Sequence, residues 1–152
     1  MYLTNYVKCG IIVVGECTQK GGDNMQFIKY NANPYGIKTG DCVIRAISTA
    51  LNTSWAKVYK EMLEVALETG YAISCTENYT EYLKRKGFEK QKMPKKSNGG
   101  KYRLHEFIDE LADPNGVYVV NICNHATCVD RKTIYDLWDC RNKCVLNYWK
   151  IK

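Results

Sequence analysis

Thr39-Gly40-Asp41-Cys42-Val43-Ile44-Arg45-Ala46-Ile47 places a cysteine where a glycine-containing turn runs into an apolar helix pattern. Val43, Ile44, Ala46, Ile47, Ala50 and Leu51 follow helical spacing from that point. Far downstream, Asn124-His125-Ala126-Thr127-Cys128-Val129 has strand character, and Asp130-Arg131-Lys132 forms a turn into Tyr135-Asp136-Leu137-Trp138-Asp139. A thiol at a helix start, a histidine on one strand and an acid on the next are the parts of a cysteine-nucleophile site.

Around this trio the chain divides simply. Gln26-Phe27-Ile28-Lys29-Tyr30 is a strand candidate, and Asn31 to Asp41 is turn-rich through Asn33-Pro34-Tyr35-Gly36. Asn52-Thr53-Ser54 ends the Cys42 helix and caps a second, which carries Trp55, Val58, Tyr59, Met62, Ala66 and Leu67 on one face and stops at Gly70. Ser74 and Glu77 have capping-box spacing for a third helix, through Tyr79, Tyr82 and Leu83 to Gly87. Leu104, Phe107, Ile108 and Leu111 mark a short fourth helix. Strands follow over Val117–Cys123, Ala126–Val129, Thr133–Trp138 and Val145–Ile151. Helices first and an antiparallel sheet last predict an α+β fold.

The 152 residues suffice for one domain with a sizeable core, and composition is that of a globular protein. The expected domain covers 25–152. Residues 1–24 read as a poorly ordered N-terminal extension, or as sequence upstream of a natural start at Met25. Their apolar run Gly10–Gly15 is too short for a signal core or a membrane span. Eight cysteines in a chain of this length, with no secretory signal, predict mostly free thiols in a reducing cytoplasm.

The net charge of +6 is concentrated. Lys84 to Lys101 holds eight basic residues against one acid, so the remainder sits near −1. Such a stretch is usually a solvated loop, and an acidic partner is the functional alternative. Few aromatics interleave it apart from Phe88 and Tyr102, which argues against nucleic acid. Cys123, Cys128, Cys140 and Cys144 lack the paired spacing of a zinc knuckle, and Cys128 falls on the strand face opposite His125. There is no glycine-rich phosphate loop. No cofactor or metal is expected.

A lone cysteine in an apolar helix is ordinarily core, and a lone strand histidine ordinarily structural. The ordered trio changes that balance. A helix N-terminus and a neighbouring imidazolium both lower a thiol pKa, and a third group must hold the imidazole. Asp136 and Asp139 both have the reach. Asp41 would oppose thiolate formation if its carboxylate pointed inward; capping the helix from outside is the expected arrangement.

Gly40-Asp41-Cys42-Val43-Ile44-Arg45-Ala46, with His125 and Tyr135-Asp136-Leu137-Trp138-Asp139, resembles papain-like cysteine peptidases. The resemblance is closest to small bacterial and phage-associated members, and it spans roughly Gln26 to Lys152. It implies a papain-like fold, Cys42 as nucleophile, His125 as general base and acid, and an orienting acid. Asp136, two places before Trp138, matches the family position best, and Asp139 is the fallback. The family places a glutamine several residues before the cysteine to hold the oxyanion. Gly36 occupies the sixth position before Cys42, and Asn33 is the nearest side-chain amide, hence the oxyanion candidate beside the Cys42 N–H. The implied activity is that of a cysteine peptidase or amide hydrolase acting on a peptide or protein through an acyl-enzyme. The alternative is an inactive papain-like fold serving as a binding or inhibitory module, for example between phage and host.

Overall fold

A computed structural model describes residues 25–152 and, as backbone alone, two short strands before them. Those strands, β1 (Tyr6–Lys8) and β2 (Ile11–Val13), pair antiparallel. The rest of the expected extension, with Cys9 and Cys17, lies outside the described residues.

The described fold is α+β. Four helices, α1 (Cys42–Ala50), α2 (Trp55–Thr69), α3 (Thr76–Arg85) and α4 (Leu104–Glu110), pack on a six-stranded sheet. Its strands are β3 (Gln26–Lys29), β4 (Lys90–Gln91), β5 (Val117–Ile122), β6 (His125–Asp130), β7 (Thr133–Asp136) and β8 (Val145–Lys150), in the order β3-β7-β6-β5-β8-β4.

The sheet is mixed, which corrects the expectation of a wholly antiparallel one. β5, β6 and β7 are joined by two-residue turns and must alternate in direction. β3 reaches its neighbour β7 only through the three long helices and most of the chain, so no turn dictates its direction, and it pairs parallel. Both strands therefore end at the same edge of the sheet, where the chain leaves β3 toward α1.

Alternation along the strands sorts two cores. Val117, Val119, Ala126 and Cys128 face α1, α2 and α3. Tyr118, Val120, Ile122, Val129 and Ile134 face α4 through Leu104, Phe107 and Ile108. β5 is buried along its whole length because helices cover both of its faces. The largest fully buried side chains include Trp149 and Ile47 in the first core and Phe107 in the second.

The helix ends follow ordinary capping chemistry. Ser54 accepts from the Lys57 N–H at the start of α2, and Gly70 takes the left-handed conformation after its end, with φ 79°. The expected capping box of Ser74 and Glu77 does not form, because α3 starts one residue later than that spacing needs, with Cys75 in the capping position.

The basic stretch is less bare than its composition. Arg85 pairs with Glu68 and Glu81, Lys86 with Glu61, and Lys96 with Glu106 at 2.6 Å. All four acids lie outside the stretch, so folding brings in counter-charge that the local sequence lacks. The stretch also contributes the edge strand β4, paired to β8.

Candidate active site

The turn between β5 and β6 is two residues long, Cys123-Asn124, and Asn124 adopts φ 53°. Asparagine tolerates that conformation better than most residues. The turn sets His125 as the first residue of β6, at the sheet end where β7 and β3 finish. Register then fixes the acid. β6 pairs with β7 through Cys128↔Tyr135, so His125 and Asp136 fall on one face near the sheet end. The His125 Nε2 lies 2.6 Å from Asp136 Oδ2.

A carboxylate can only accept, so Nε2 carries the proton and donates it. That leaves Nδ1 for the hydrogen bond between His125 and Cys42. The Ala126 N–H, next along β6, also donates to the Cys42 sulfur. Asp136 is itself held: the Leu137 N–H donates to its Oδ1 at 2.7 Å, and the Tyr30 N–H donates to its carbonyl at 2.8 Å. The buried Cys140 thiol lies 3.9 Å from Oδ2.

The electrostatics of the pair point one way. Burial pushes the Cys42 thiol up, but the His125 hydrogen bond, the Ala126 N–H and the charges of His125 and Arg45 outweigh it, so the pKa lies below its ordinary 9.0. Burial pulls His125 down, and the Asp136 and Cys42 bonds and charges reverse this, to about 9 from 6.5. Each group thus favours the charged form of the other, thiolate facing imidazolium. Cys140 goes the other way. Burial first, then the Asp136 charge, raises its thiol to about 12, which keeps it protonated.

Asp139 is not the partner of His125. Its carboxylate pairs with Arg141 at 2.7 Å and is pulled below its ordinary pKa by that guanidinium, and it lies beyond the end of β7. Of the two candidate acids, the structure brings Asp136 to His125. His105 lies on α4, against the Arg141 carbonyl.

Asp41 does not cap α1 with its side chain. Its carboxylate turns inward, where it forms an ion pair with Arg45 and accepts from Asn33 Nδ2 at 2.9 Å and Trp55 Nε1 at 3.0 Å. This corrects the expectation that Asp41 caps the helix from outside. The acid beside Cys42 is inward but neutralised by Arg45 and two further donors, so its opposition to the thiolate is offset. The Asn33 amide, expected at the oxyanion, is buried and holds Asp41, and its Oδ1 accepts from the Tyr35 N–H. The Gly-Asp-Cys-x-x-Arg motif thus has a physical reason: Asp41 and Arg45, four apart, brace the first turn that carries Cys42. The sequence signal for this was the i, i+4 acid–base spacing.

Aromatic rings flank the pair on both sides. Trp138 lies 5.2 Å from the His125 ring. Near Asp41, Trp55 packs on Tyr59 at 4.9 Å and on Tyr35 at 6.2 Å, and Tyr35 is 72% exposed. Of the expected core face of α2, Val58 and Met62 are buried, joined by Val65, whereas Trp55 and Ala66 are half-buried and Tyr59 and Leu67 are exposed. All six described cysteines are free, and no described helix is long and apolar enough to cross a membrane.

No protein-family model, curated protein or solved structure matches this chain.

Proposed function

We propose that this chain is a papain-like cysteine peptidase or amide hydrolase, with Cys42 as nucleophile, His125 as general base and acid, and Asp136 as the orienting acid. One observation carries the reading: a single imidazole joins a thiol at a helix N-terminus to a buried carboxylate. The thiolate attacks a carbonyl carbon, the imidazolium protonates the leaving amine, and water activated by His125 releases the acyl group. Peptides or proteins are the substrate class, in a bacterial or phage-infected cytoplasm.

A binding or inhibitory module on the same fold is the second reading. It is favoured by the engagement of Asn33 with Asp41, which occupies one N–H of the side-chain amide expected at the oxyanion.

The test is a pH series of iodoacetamide labelling, followed by peptide mass spectrometry on wild type and His125→Ala. Cys42 is expected to label at least about tenfold faster near pH 6 than the exposed Cys123, and to lose that advantage in the variant. Equal labelling of Cys42 and Cys123 overturns the enzyme reading.

A further inference from the structure

The oxyanion of a thiolate attack needs donors beyond the Cys42 N–H, and Asn33 is engaged elsewhere. The face of the sheet that carries Cys42 offers another group. Asn121 on β5 is the register partner of Ala126, whose N–H reaches the Cys42 sulfur. By parity its side chain lies with Val117 and Val119 on the face toward α1 and α3. There its Nδ2 donates to the Tyr79 hydroxyl oxygen and, at 3.0 Å, to Asn147 Oδ1.

Three details make Tyr79 more than a core tyrosine. Its hydroxyl oxygen already accepts from Asn121, so its proton must go elsewhere, and the acceptor at hand, Thr76 Oγ1, is 3.3 Å away. That is long for an O–H···O bond and leaves the donor weakly held. Second, the β5–β8 register shifts at this point: Asn121 faces Asn147, while Ile122 faces Val145. Such bulges re-aim side chains and gather beside active sites. Third, Tyr79 and Cys42 belong to one packed cluster, and burial, with the Cys42 charge contributing, holds the phenol above its ordinary pKa, hence protonated.

We propose that the Tyr79 hydroxyl, positioned by Asn121, donates to the oxyanion formed when Cys42 attacks a carbonyl. This inference rests on the reading of Cys42 as nucleophile. The Sγ–C bond forms as the carbonyl π pair moves onto oxygen. That oxygen accepts from the Cys42 N–H and from the Tyr79 O–H, which swings off Thr76. Collapse returns the pair to the carbonyl and expels the leaving group. Tyr79 keeps its proton throughout.

The probe is p-nitrophenyl acetate, whose reaction with Cys42 passes through a tetrahedral oxyanion, set against iodoacetamide, whose displacement does not. Both rates are measured on the full chain, with Cys42→Ala as the blank. Tyr79→Phe is expected to slow acylation about 100-fold or more while leaving alkylation unchanged. Thr76→Val, which removes the competing acceptor, is expected to keep acylation. If Tyr79→Phe does not fold, Asn121→Ala takes its place, with the same split between the two reactions expected. Acylation at the wild-type rate overturns the proposal. So does parallel loss of both reactions, which marks a structural role. A wild-type Cys42 inert to both reagents instead overturns the enzyme reading itself; reaction with iodoacetamide at an activated rate keeps the two failures apart.

Discussion

At the residue scale, the site depends on a charge pair that touches no substrate. Arg45 and Asp41 are almost wholly buried, and each satisfies the other. Removing one leaves an uncompensated buried charge. Arg45→Met is expected to lower stability by about 3–5 kcal/mol in urea denaturation. It should also raise the pH at which Cys42 becomes reactive, because the Arg45 charge is one of the influences holding that thiol down. Loss of stability with an unchanged reactivity profile would show that the pair acts on the fold alone. Trp55→Phe is the milder version. It deletes one donor to the Asp41 carboxylate, and a hydrogen bond to a charged group contributes about 1.5–3 kcal/mol.

At the element scale, short connections do most of the positioning. The β5–β6 turn delivers His125, and the β6–β7 turn returns the chain so that Asp136 meets it. Arg131 and Lys132 form that second turn with φ of 47° and 61°, a conformation that matches the twist of paired strands and is costly for non-glycine residues. On the helix side, Gly70 ends α2 at φ 79° with open space where a methyl group would sit, so only the backbone conformation is at stake. Gly70→Ala is expected to cost about 1 kcal/mol, read as a lower denaturation midpoint with no change in Cys42 labelling. A neutral result would mean that the αL cap contributes nothing here.

At the scale of the whole molecule, the Cys42–His125 pair links stability to pH. His125 is raised from 6.5 to about 9, so its contribution is complete below pH 6.5 and is lost as pH rises through 9. Cys42 is lowered from 9.0, so its contribution is present above pH 9 and is lost as pH falls through its folded value. Where pH lies above both 6.5 and the folded Cys42 value, and below 9, the two cancel: the folded pair and the unfolded residues each bind one proton. Stability from this pair is therefore flat across that window, where the rise from Cys42 offsets the fall from His125. In Cys42→Ala only the His125–Asp136 bond remains. Stability should then fall as pH rises above 6.5, by at most about 1.4 kcal/mol per pH unit. Urea denaturation of both proteins across pH 5.5–9 separates these slopes on the order of that amount. Identical profiles would mean that Cys42 and His125 do not share a proton.

Local rules carried the elements and the trio. Helical spacing from Cys42, the glycine after α2 and the strand patterns after Gly116 all reflect interactions within a few residues, which one sequence can display. His125 and an acid on the next strand were equally legible, because a two-residue turn ties their positions together. What the chain alone left open were the choices made by distant residues. Asp136 prevailed over Asp139 because Arg141 pairs with Asp139 and because β7 ends at Asp136. Asn33 donates to Asp41 because that carboxylate turns inward to meet it. The direction of β3, the counter-ions of the basic stretch and the meeting of Tyr79 with Asn121 likewise join residues far apart in sequence. Such contacts are decided by which surfaces pack together and which buried charges must find partners, and those conditions exist only once the chain has closed on itself.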